Sequence, residues 1–208
     1  MSRPADWTPL ATGDPVPGDP VEVALIGRRL RQAADQIGAD VSWLRSLCTA
    51  RFWDSGAGQA FKDQVDDAAA ELAWARERYL AAGEALGGGL TGAGYAGALA
   101  AAQSLSLRAL TQAQRAWAAM RAELAATLPS ALPRLDSSGN PVPLVAPSGA
   151  GRQLGAAVSR YNASALEYQT TKDWLAEAVA LRDAAAARAA AAIQAAAGAA
   201  CVTEHAQT

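Results

Sequence analysis

Phe61, Val65, Ala68, Leu72, Ala75, Tyr79, Ala82 and Leu86 recur in alternating steps of four and three without a miss. A seven-residue repeat of this kind lines one face of a helix. Coiled-coil-like packing against an antiparallel neighbour is the way to bury it. The intervening Lys62, Asp63, Asp66, Asp67, Glu71 and Arg78 then read as a solvent-facing surface.

The neighbour is supplied upstream. Residues 1–18 read as an irregular N-terminal arm. Asp19-Pro20-Val21-Glu22 is then a helix start: Asp19 caps, Pro20 suits the first helical position and Glu22 can complete a capping box. From there Ile26, Leu30, Ala33, Ile37, Val41, Leu44 and Cys48 form one stripe on a helix of about 30 residues. It stops near Thr49, and the heptad stripe begins at Phe61. Between them lies Arg51-Phe52-Trp53-Asp54-Ser55-Gly56-Ala57-Gly58, a helix-to-helix turn. Ser55 or Asp54 can cap the second helix. Gly56 and Gly58 let the backbones approach, and Trp53 can fold back over the end of the hairpin.

Glycine costs about 1 kcal/mol per helical position relative to alanine. Five glycines in the eight residues 87–94 therefore break or kink the second helix. They match G-x-G-x-x-G twice, but a dinucleotide site needs a strand before the motif and no strand–helix alternation occurs, so the stretch reads as a hinge. A third stripe follows: Leu99, Ala102, Ser106, Leu110, Ala113, Trp117, Met120 and Leu124. Residues 129–151 hold five prolines and three glycines. They form a long connection, either a strap packed along the bundle through Leu132, Leu135, Val142, Leu144 and Val145 or a flexible linker. A last alanine-rich helix spans about 152–197, dotted with Leu154, Val158, Tyr161, Ala165, Tyr168, Leu175, Val179 and Ile193. At that length it reaches about 70 Å and needs a partner, for which the third helix is the obvious candidate.

The expected architecture is all-α: elongated antiparallel hairpins of four long helices in a coiled-coil-like bundle with a Pro-rich connection. Its parts are the arm (1–18), a hairpin plus third helix (19–128), the connection (129–151), the long helix (152–200) and a tail (201–208). Tryptophans 43, 53, 74, 117 and 174 are read as core or seam fillers.

Composition narrows the function. Net charge is −2, which gives no strong field for nucleic acid or an anionic membrane. The one histidine, His205, falls in the tail, so His-based triads and His-rich metal sites are nearly excluded. Cys48 and Cys201 have neither metal-ligand nor disulfide-framework spacing. Asp63, Asp66, Asp67 and Glu71 flank the apolar stripe on its outer side, where a metal or acid–base pair in a bundle core could not use them. Asn162-Ala163-Ser164 fits a glycosylation acceptor but lies inside the predicted last helix. Neither a signal peptide nor a membrane span is visible. No catalytic, cofactor or metal residues are assigned, and the chain is expected not to be an enzyme.

The turn Trp53-Asp54-Ser55-Gly56, followed by Ala57-Gly58-Gln59-Ala60-Phe61, resembles the W-x-G family of type VII secretion substrates. Those are helical hairpins with Trp-x-Gly in the turn, and they pair as four-helix dimers. In this chain serine stands at 55, where the family usually has glycine, and glycine comes one place later. The start Gly13-Asp14-Pro15-Val16-Pro17 and the alanine-rich body also look like the N-terminal secretion-signal domain of actinobacterial polymorphic toxins. The likeness covers about 15–125 best. It implies a non-enzymatic secretion-targeting module of a type VII (ESX-like) system. Such a protein is cytoplasmic before export, then secreted or surface-bound by a route that needs no signal peptide. Its implied partners are the export machinery and a small W-x-G protein or a second copy of the chain, with no nucleic acid and no stable membrane insertion. Trp53, Ser55, Gly56 and Phe61 become the implied recognition residues. The family's Tyr-x-x-x-acid signal is not matched cleanly: Tyr79 is followed by Glu84 and Tyr168 by Asp173, each one residue too far, and a partner is expected to supply it. The alternatives are a cytoplasmic helical adaptor or scaffold and, behind it, an effector enzyme.

Overall fold

The computed structural model describes residues 3–48, 55–89, 93–127 and 132–204, with side chains through 198. It is all-helical: α1 (Pro20–Leu47), α2 (Gly56–Leu86), α3 (Tyr95–Thr127) and α4 (Arg152–Glu204), with helices packed in pairs. Two compact units divide the chain. Unit 1 comprises Met1–Pro17 and Ala101–Leu181; unit 2 comprises Gly18–Ala100 and Arg182–Thr208.

In unit 2, α1 and α2 form the expected antiparallel hairpin. Arg31 meets Glu84 and Gly38 meets Arg76, so the contacts run in opposite directions along the two helices. The start of α1 follows the sequence. The Asp19 carboxylate accepts the amide hydrogens of Val21 and Glu22, and Pro20 stands in the first turn. This offsets the unpaired donors of a helix start, and replacing such a cap by alanine costs about 1 kcal/mol. At the other end of the hairpin, α2 stops at Gly87, whose φ of +95° reverses the chain while Gly88 N–H returns to the Gly83 carbonyl at 2.8 Å. Such a left-handed residue is strained for anything but glycine.

The seam between these helices is narrower than the stripes imply and is rotated from them. Gly27, Ala34 and Val41 are the buried positions of α1; Gly58, Val65, Ala69 and Gly83 are those of α2. Ile26 is exposed, as are Ala68, Phe61 and Tyr79. Close approach is the reason. A Cβ at Gly27 would lie 2.7 Å from Gly88 N and 2.9 Å from Gly83 O, both backbone atoms. Glycine-on-glycine contact draws the axes together, and the small residues beside the apolar stripes take the seam. The larger side chains are left on its flanks.

Unit 1 is packed differently. The second half of α3 and the first half of α4 run antiparallel, fixed by an Arg160 fork on Glu123 (2.7 and 2.9 Å) and by Gln112 on Glu167 (3.0 Å). Between them Ala113, Ala116, Met120, Leu124, Tyr161, Ala165 and Tyr168 make one core, with Trp117 tilted against Tyr168 at 5.8 Å between ring centres. The third sequence stripe is this face of α3. Every member from Leu99 to Leu124 is buried except Trp117, which is half-buried.

The connection lies as a strap on α4, held by hydrogen bonds more than by the apolar residues expected to pack it: Leu132, Leu135, Val142 and Val145 are exposed and Leu144 is half-buried. Asn162 reads the Leu144 backbone twice, accepting its N–H at 2.8 Å and donating to its carbonyl at 2.9 Å. Tyr161 Oη donates to the Val142 carbonyl, and Lys172 Nζ donates to the Ser138 carbonyl and Asn140 Oδ1. Asn162 is thus engaged with the strap. The arm is irregular, as expected, but it belongs to the interior of unit 1: Trp7 is 1% exposed and Val16 0%. Burying a side chain of this kind contributes about 1.5–3 kcal/mol.

Candidate functional site

The residues singled out in the sequence lie along the α1–α2 hairpin. Trp53 and Asp54 fall outside the described residues, so the site is built from what flanks them. Ser55 is extended (φ −87°, ψ 159°) and caps α2, with Oγ accepting the Gly58 N–H at 3.1 Å. Its carbonyl accepts the first intrahelical bond, from Gln59 N–H at 2.9 Å. A hydroxyl at this position is what ends the turn, which gives Ser55 a structural reason of its own.

The two turn glycines separate. Gly58 is buried and donates its N–H to the Ser55 cap. Gly56 is exposed, and a Cβ there would meet nothing within 4 Å, which corrects the expectation that both glycines serve backbone approach. Phe61, a little over one turn into α2, is 39% exposed.

Tyr79 and Glu84 are not part of this cluster. A rise of 1.5 Å per residue puts Tyr79 about 27 Å along α2 from Phe61. Tyr79 is exposed, and Glu84 pairs with Arg31 of α1 at 3.4 Å. Five residues apart on a helix, they point about 140° apart around its axis and do not form one recognition face.

The structure adds Trp43. It lies one turn before the end of α1 and is 62% exposed, so it fills neither core nor seam. Trp174 is likewise exposed, while Trp74 is half-buried with the Arg78 guanidinium 4.6 Å over its ring. The signal for Trp43 was present: it falls between Val41 and Leu44, off the apolar series of α1. Trp43 and Phe61 therefore leave two large aromatics accessible toward the turn end of the hairpin.

A shallow, open cleft of about 450 Å³ runs between α1 and α2, with Asp35, Ser42, Arg45 and Arg76 as its polar lining. Arg76 crosses directly over Gly38, where a Cβ would come within 2.9 Å of its Nε, and it also pairs with Glu77. Mixed charge on an open wall offers no oriented acid–base pair. Among the described residues no group of His, Cys, Asp and Glu could hold a metal ion, and no helix is long and apolar enough to cross a membrane.

Perturbed titration in unit 1 has packing causes. Burial raises the phenol pKa of Tyr161 and of Tyr168. The hydrogen bond from Arg160 lowers Glu123, and the Thr8 hydroxyl and amide lower Asp6. These are a core, an exposed ion pair and a turn.

No family model, no curated protein and no solved structure matches the chain.

Proposed function

We propose that the chain is a non-enzymatic helical targeting module that a type VII secretion machine carries out of the cell, either as a substrate or as the delivery part of a toxin. One observation supports this most. The Trp53-Asp54-Ser55-Gly56 stretch joins two antiparallel helices, with Ser55 capping the second and Trp43 and Phe61 accessible toward that end. A machine that exports folded helical hairpins needs a large, rigid surface at a fixed position. Aromatic side chains beside a capped helix start provide one, because they offer contact area with few rotatable bonds.

In this reading Trp53, Phe61 and Trp43 meet the machinery or a small W-x-G partner. Ser55 holds the turn, and Gly56 leaves space beside it. The Tyr-x-x-x-acid signal comes from the partner. Expression in a host with a type VII system, with and without a neighbouring small W-x-G protein, tests this. The expected result is export that depends on the partner and co-elution of the two proteins on sizing. Efficient export of the chain alone, unchanged by Trp53→Ala, overturns it.

A further inference from the structure

We infer that α3 and α4 of unit 1 form a groove for a turned, proline-containing peptide, that residues 3–17 are its built-in ligand, and that the groove accepts the same segment from a second copy of the chain.

The arm is held as a bound peptide is held. Three side chains from the two helices donate to its backbone carbonyls: Gln114 Nε2 to Thr8, Tyr168 Oη to Pro9 at 2.7 Å, and Gln103 Nε2 to Val16 at 3.2 Å. Bonds to the main chain fix a bound segment, while pockets for particular side chains choose its sequence. Here the choosing side chains are Trp7 and Val16, both fully buried, and Leu10, which packs on the Tyr161–Tyr168–Met120 core.

The arm also carries contacts within itself. Arg3 grips the Asp14 carboxylate and lies 4.9 Å over the Trp7 ring, Asp14 accepts the Val16 N–H, and Trp7 Nε1 donates to the Pro4 carbonyl. Arg3 reaches out of this compact loop to Ser106 Oγ on α3 at 3.1 Å. Local order of this kind lowers the entropy lost on binding. The arm belongs to the same chain as the groove, so it competes as an intramolecular ligand against a free copy. This inference is independent of the turn at 53–56.

The test uses the full-length chain and a fluorescein-labelled peptide of residues 3–17, read by anisotropy. Trp7→Ala in the chain weakens its own arm, so the peptide binds saturably and at least tenfold more tightly than to the wild-type chain. The peptide carrying Trp7→Ala fails to bind. Adding Tyr168→Phe to the Trp7→Ala chain lowers affinity several-fold by deleting the donor to the Pro9 carbonyl. A folded Trp7→Ala chain that ignores the peptide, or that binds both peptides equally, overturns the inference. If Trp7→Ala instead unfolds unit 1, recovery of its helical circular dichroism on adding the wild-type peptide supports the groove. Failure to recover shows an inseparable core and overturns it.

Discussion

Unit 1 and the α1–α2 hairpin of unit 2 are both made of long alanine-rich antiparallel helices, yet they dispose of their large side chains in opposite ways. Unit 1 turns its tyrosines and several other large side chains inward, although Leu166, Trp174 and Val145 stay exposed. Trp7, Val16, Tyr161, Tyr168 and Met120 are all fully buried, and the tyrosine hydroxyls are occupied by carbonyls of the strap and the arm. The hairpin brings glycine and alanine to its seam and leaves Trp43, Phe61, Tyr79, Val21 and Ile26 exposed. Hydrophobic stabilisation scales with apolar area removed from water. A seam of glycine and alanine with Val41 and Val65 gains less of it than a core of aromatic and larger aliphatic side chains. What the hairpin gains is close, rigid backbone contact. The lesson is that one composition can build a part with a core of large side chains and a part whose seam is small and whose large apolar groups stay exposed.

The contrast can be broken most forcefully from the core side. Tyr168→Ala removes a buried ring that touches Trp117 and anchors the arm, so it should lower stability by about 3–5 kcal/mol in a denaturant titration. An effect below about 1 kcal/mol means that unit 1 is not packed as described.

Next comes the seam. Gly27→Ala forces a methyl against the Gly83 and Gly88 backbone, which cannot yield as a side chain can. Overpacking of this kind costs about 1–3 kcal/mol, against a helix-propensity gain of about 1 kcal/mol. A net loss of stability, with slow amide exchange abolished near Gly83, is the expected result. A net gain shows that the helices do not approach there.

Alkaline pH sharpens the comparison more gently. Burial raises the phenol pKa of Tyr161 and Tyr168 in the folded chain. The unfolded chain releases these protons first, near pH 10. Their contribution is therefore complete below that value and declines as pH rises through the folded pKa values. Melting temperature should fall above about pH 10, and the double variant Tyr161→Phe/Tyr168→Phe should fall less steeply. Equal slopes remove the two phenols from the account.

The smallest effect belongs to the hairpin exterior. Trp43→Ala should change stability by no more than about 0.5 kcal/mol, because the indole is largely in water. A loss of several kcal/mol would make it a core residue after all.

Legibility differed along the same division. The stripe of α3 was readable because its apolar residues are large, face one partner and keep helical spacing from Leu99 to Leu124. The helix starts at Asp19 and Ser55 were readable because capping chemistry is local. The α1–α2 seam was readable only at Val41 and Val65. Periodicity records where large apolar residues recur, and the rest of this seam is made of residues too small to register, such as Gly27, Ala34, Ala69 and Gly83. The arm escaped for a different reason. Trp7 and Val16 sit in a proline-rich stretch without periodicity, and the side chains that hold its backbone, Gln103, Gln114 and Tyr168, lie 87 to 159 residues away. Of the candidate site, Ser55 was readable as a cap, and Phe61 as a large residue at the start of a helix. Trp43 was mistaken for a filler because it was classed by residue type instead of by its place off the stripe.

The central claim is that Trp53 in the turn of the hairpin serves recognition and not the fold. Its most direct test is Trp53→Ala in the full chain, with melting temperature and export from a type VII-competent host measured on the same preparation. The account predicts unchanged melting and lost export. A folded Trp53→Ala chain that is exported as well as the wild type would contradict it.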